Sequence, residues 1–187
     1  MDLKRYTFKE FLSLSDESII DSYLFVLEAL KPLKTLNKKP LKELINLSFG
    51  EVINAKLILT QPTKEGLVEL IKMVSNLKKK QIYDLSIYDF YGVLNNLKEQ
   101  VITINEMEEN NLVSKHTSIE WEMVDGSKRL SKYGVLNTID KLAKGDILKY
   151  EQIEKLPYQL VLSKLMMDME KSDIEADINN IKMKKIA

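Results

Sequence analysis

Apolar residues recur three and four positions apart along most of this chain, as they do in helices that bury one face. The clearest run is Phe90, Val93, Leu94, Leu97, Val101, Ile104 and Met107. It keeps that spacing for about six turns and predicts a long central helix over about 87–110. Ser86-Ile87-Tyr88-Asp89 is its start signal. Glu106, Glu108 and Glu109 make its end acidic, against the helix dipole, so fraying is expected after Met107.

Upstream, Thr7-Phe8-Lys9-Glu10 and Ser48-Phe49-Gly50-Glu51 have capping-box form, a hydroxyl answered by a carboxylate three residues on. The first opens a short helix with Phe8, Phe11 and Leu12. The second opens one with Val52, Ile53 and Leu57 inward. Ser15 or Asp16 can cap a helix bearing Ile19, Ile20, Tyr23, Leu24, Val26, Leu27 and Leu30, which Pro32 stops. Thr63 caps another with Leu67, Leu70, Ile71 and Val74, and residues 76–80 read as a polar loop. Residues 31–42 hold five Lys, two Pro and no acid, which predicts a linker or an exposed basic loop. Pro40 suits the first turn of a short helix with Leu41, Leu44 and Ile45.

Downstream, Ile119, Trp121 and Met123 alternate with Glu120 and Glu122. That period of two predicts a loop or a short extended segment over 113–127. Helical spacing returns from Lys128 to Ala143 through Leu130, Tyr133, Leu136, Ile139 and Leu142. Gly145 suits a left-handed position after a helix, and Asp146 caps the next turn. Ile147, Tyr150 and Ile153 group together in 147–155. Pro157 begins a long C-terminal helix with Leu160, Val161, Leu165, Met166 and Met169 on one side. Ile174, Ile178 and Ile181 continue it more thinly. The expected fold is all-α: an irregular bundle of seven to nine helices with few or no strands. It is read as a single helical domain over 1–187, with residue 80 as the place where it would divide.

Composition narrows the chemistry. The 187 residues are 44% apolar, enough for a real core. Six Gly and four Pro are too few for a loop-rich sandwich. Without Cys there is no disulfide framework, thiolate metal site or cysteine nucleophile. The 28 basic and 28 acidic residues cancel, so no net field favours nucleic acid or an anionic membrane. Arg5 and Arg129 are the only arginines, which argues against base-specific reading. No apolar run has the length of a leader or a membrane span, so an aqueous setting is expected.

Candidate catalytic groups are sparse. His116 is the single histidine, and the neighbouring Glu108, Glu109, Glu120 and Glu122 do not stand four residues away on its helical face. It is expected to be a solvated loop residue. Ser114 and Ser118 are too close in sequence to His116 to suggest a triad, and there is no nucleophile elbow. No two glycines are paired as in a phosphate-binding loop. Neither an enzyme, a cofactor nor a metal is expected. The Lys31–Lys42 stretch and Lys78-Lys79-Lys80 could touch phosphate without reading sequence, but the aromatic interleaving of a single-strand platform is missing.

The C-terminal third carries a resemblance. Trp121-Glu122, Tyr133-Gly134, the run Ile139-Asp140-Lys141-Leu142-Ala143-Lys144-Gly145-Asp146, Lys149-Tyr150-Glu151 and Leu156-Pro157-Tyr158 resemble small helical virion proteins of tailed phages. The resemblance implies a structural protein made in the host cytoplasm and built into the virion as a multimer of the neck or tail. Its partners would be further copies and other virion proteins such as portal, ring or tail proteins. Cargo carried in the particle and tail assembly chaperones are members of the same group, and a cellular helical interaction module is the reading outside it. Basic Lys38, Lys39 and Lys42 and acidic Glu106, Glu108 and Glu109 are then expected on opposing sides of a contact. Trp121, Tyr150, Tyr158, Met166 and Met167 are its expected apolar anchors.

Overall fold

A computed structural model describes residues 3–15, 17–116 and 119–186. Asp16, Thr117 and Ser118 fall outside these, as do the side chains of Ile19, Ile119 and Glu120. The fold is all-α, 72% helical, with eleven α-helices and one two-stranded sheet among the described residues. The helices are α1 (Phe8–Phe11), α2 (Glu17–Glu28), α3 (Phe49–Thr60), α4 (Lys64–Ser75), α5 (Lys79–Tyr83) and α6 (Ile87–Asn111). They continue with α7 (Ile119–Met123), α8 (Gly126–Ser131), α9 (Val135–Ala143), α10 (Tyr150–Glu154) and α11 (Tyr158–Ile186).

The start signals act as their chemistry dictates. Glu10 N–H donates to Thr7 Oγ1 at 3.2 Å, and the Glu10 carboxylate accepts Thr7 N–H at 2.8 Å. Ser48 and Glu51 form the same reciprocal pair at 3.3 and 2.9 Å. Thr63 accepts from Gly66 N–H, Ser86 from Asp89 N–H and Asp146 from Leu148 N–H, all at 3.1 Å. Each bond satisfies an amide that the first turn of a helix leaves without a partner.

Contacts divide the chain into two compact units, Met1–Leu47 with Asn54–Ile104 and Ser48–Ile53 with Asn105–Ala187. The core of the first contains Phe8, Leu27, Leu44, Val68, Leu70, Ile71, Ile82, Ile87, Phe90 and Leu97. The Phe8 and Phe90 rings stack with centroids 3.6 Å apart. Gly92 lies so close to Leu33 that a Cβ there would overlap its side chain. The core of the second contains Phe49, Val52, Ile139, Ala143, Tyr158, Val161 and Leu162. Phe49 N–H donates to the Leu156 carbonyl at 2.8 Å, and its ring stacks on Tyr158.

Several local expectations are corrected. Residues 31–42, expected as a linker or an exposed basic loop, contain a hairpin whose lysines are exposed. Thr35–Leu36 (β1) pairs antiparallel with Lys39–Pro40 (β2) across a two-residue turn. Both turn residues, Asn37 at φ 50 and Lys38 at φ 62, are left-handed, as a primed turn requires. Pro40 therefore ends a strand, and the short helix that follows is a 3₁₀ turn at Leu44–Asn46.

Residues 119–123 are helical. The period of two spans a single turn there, too few residues to separate the two geometries. Gly126 is buried against Trp121, where a Cβ would overlap the indole, and Trp121 Nε1–H donates to Ser127 at 3.1 Å. Lys128 to Ala143 is two helices, because Gly134 at φ 51 breaks the path between α8 and α9. The loop expected over 76–80 is shorter, since α5 begins at Lys79. Leu57 is 58% exposed, not inward; it stands about 140° round α3 from buried Val52. The acidic end of α6 remains helical to Asn111. The Tyr158 hydroxyl donates to Glu108 at 2.6 Å, and that tertiary bond outweighs a dipole penalty of a few tenths of a kcal/mol, about 0.3 at an exposed site.

Candidate functional site

The C-terminal helix α11 has two apolar faces. Tyr158, Val161 and Leu162 are buried, and Leu165 and Met169 are half-buried. At 100° per residue they share one side of the helix. On the opposite side run Leu160, Met167, Ile174, Ile178 and Ile181, between 45% and 56% exposed. These five fall within an arc of about 60° and extend about 32 Å along the axis. The neighbours Leu160 and Val161 therefore stand about 100° apart on different faces, and Leu160 does not join the inner side as its sequence grouping suggests. Met166, grouped there too, is 37% exposed. Lys164 forms an ion pair with Asp168 one turn on.

The segment before α7 is tied to α11. Asp173 is 4% exposed and accepts the Ser114 hydroxyl at 2.7 Å and Lys115 N–H at 3.1 Å. The Ser114 bond first, and the Lys115 amide second, hold the Asp173 carboxyl below the ordinary aspartate range. His116 Nε2 lies 2.9 Å from Asp177 Oδ1, and Lys115 Nζ lies 3.9 Å from Glu170. His116 is thus a partly exposed loop residue that has a partner on α11. Its ring pairs with Asp177 while Ser114 pairs with Asp173: two separate docking bonds, not a serine–histidine relay. Among the described residues no group of three His, Asp or Glu side chains could hold a metal ion.

The expected contact residues disperse. Lys38 sits in the hairpin turn, Lys39 in β2 and Lys42 just beyond, all exposed. Lys42 N–H donates to the Val74 carbonyl at 2.9 Å. Glu106 and Glu109 are exposed at the end of α6, whereas Glu108 is half-buried against Tyr158. Tyr158 is 1% exposed, so its ring is core and not a surface anchor. Burial first, and the bond to Glu108 second, push its phenol pKa up. The Tyr150 hydroxyl donates to Asp140, which raises its phenol pKa. Trp121, Met166 and Met167 do present apolar surface.

Sequence reasoning missed Ile147 and Leu148, 72% and 83% exposed on the turn before α10. The outer row of α11 did have a signal. Leu160, Met167, Ile174 and Ile181 recur every seven residues, a second stripe beside the inner one. The described residues contain no helix long and apolar enough to cross a membrane. No protein-family model, curated protein or solved structure matches this chain.

Proposed function

We propose that this chain is a non-catalytic assembly protein that packs against further copies of itself, as part of the neck or tail of a tailed-phage particle. The observation that carries the reading is the outer row of α11. Five large apolar side chains opposite the buried face have no partner surface within their own helix, and contiguous exposed apolar surface marks association sites. Equal numbers of basic and acidic residues leave no net repulsion between copies. The phage setting rests on the resemblance in the C-terminal third.

Native mass spectrometry tests self-association. The parent chain is expected to form a multimer, and Met167→Glu, Ile174→Glu and Ile178→Glu together should return it to a monomer. A parent that is monomeric at about 100 μM, some hundredfold above a micromolar dissociation constant, would overturn the reading. Mass spectrometry of purified particles tests the setting: a fixed copy number is expected for a ring or tail component, and absence would favour a chaperone.

A further inference from the structure

The first compact unit contains an open cleft of about 570 Å³ lined by Lys9, Lys64, Lys79, Lys80, Tyr83 and Asp84. The four lysines come from three helices, α1, α4 and α5, so Lys9 and Lys64 are brought beside the adjacent pair Lys79 and Lys80. All four are exposed, and none of their ammonium groups pairs with a carboxylate among the described residues. One carboxylate, Asp84, shares the lining. In a chain whose acids and bases balance, this is a local excess of positive charge.

Tyr83 fixes part of the geometry. Its ring stacks on Phe8 at 5.7 Å, and Lys64 Nζ lies 5.4 Å from its centroid. That cation–π contact holds one ammonium over the cleft while leaving its charge available. The backbone is equally set. Phe8 N–H donates to the Leu85 carbonyl at 2.9 Å, and Ile87 N–H to the Tyr6 carbonyl at 2.8 Å, which ties α1 beside α5.

We propose that this cleft binds the phosphate backbone of a nucleic acid. Lysine is a hydrated point charge that needs no fixed approach direction, which suits contact with successive phosphates along a strand. An open trough admits a strand that enters and leaves, where a closed pocket would select a small phosphate ester. Contacts of this kind are independent of base sequence and depend strongly on salt. This site does not involve α11, and its test can fail without touching the assembly reading.

The test is fluorescence anisotropy of the full chain with a labelled single strand and a labelled duplex of about 30 nucleotides, and with polyglutamate, at about 50 and about 200 mM salt. Four phosphate contacts should weaken binding on the order of 100-fold between these salts. Lys9→Gln, Lys64→Gln, Lys79→Gln and Lys80→Gln together should lower affinity at the lower salt by a comparable factor and flatten the salt dependence. Lys80→Glu alone should move affinity the same way by a smaller factor. Lys38→Gln, Lys39→Gln and Lys42→Gln together, on the other basic segment, should leave binding unchanged. Binding of either strand form supports the site. It is overturned by an absence of binding at the lower salt, by equal weakening in the two multiple variants, or by polyglutamate binding as tightly as the oligonucleotides.

Discussion

Asn95 shows how one side chain can close an element that lies far away in sequence. Its amide nitrogen donates to the carbonyls of Leu27 and Leu30 at 3.0 Å and of Glu28 at 3.3 Å. These belong to the end of α2 and the turn after it, where a helix leaves its last carbonyls without partners. The residue is 6% exposed. In sequence, Asn95-Asn96 reads as the polar side of the long helix, and no local rule places it over the end of another. Asn95→Ala takes this donor from one buried and two part-buried carbonyls, of which that of Leu27 keeps its bond from Leu30 N–H, and should destabilise the chain by about 1 kcal/mol. Urea denaturation checks this through a lower midpoint at constant slope; an unchanged midpoint would mean that water replaces the amide without loss. Gly126 makes the converse point. Its need to be glycine comes from the indole of Trp121, which its own neighbours do not reveal.

Among the elements, those long enough to repeat their pattern were legible. Helices α4 and α6 show their buried faces in Leu70, Ile71 and Val74 and in Phe90, Val93, Leu94 and Leu97. The hairpin was not, because Asn37-Lys38 lacks the glycine that usually marks a primed turn. Helix α7 was not, because five residues hold barely more than one turn. Asp173 ties residues 114–115 to α11 with a pH dependence of predictable sign. Its folded pKa lies below its unfolded value of about 3.9. The contribution to stability is therefore complete above that unfolded value and is lost as pH falls through the folded one. Asp173→Asn should remove this acid-side loss, so its thermal midpoint should vary less than the parent's between about pH 2 and 5. Parallel midpoint–pH curves for the two proteins would show that the Ser114 and Lys115 bonds do not favour the ionised form.

At the scale of the whole molecule, two surfaces of opposite character predict opposite responses to salt. The outer row of α11 is apolar, so association through it should persist or strengthen in sulfate, which is excluded from protein surface. Binding at the lysine cleft should collapse over the same range. Analytical ultracentrifugation in rising sulfate, run beside the anisotropy titration, separates them. Dissociation of the multimer in sulfate would show that charged contacts hold it instead.

Sequence alone determined that this chain is helical, where its best-capped helices begin and that α11 carries apolar residues at helical spacing along its length. Those properties are local: a cap spans four residues, and a stripe needs only the helical repeat. Which stripe is buried, that Tyr158 is core, that His116 meets Asp177 and that Lys9 and Lys64 share a cleft with Lys79 and Lys80 were decided by tertiary structure. Each depends on which surfaces come together across dozens of residues, and identical local spacing is compatible with either face turned inward.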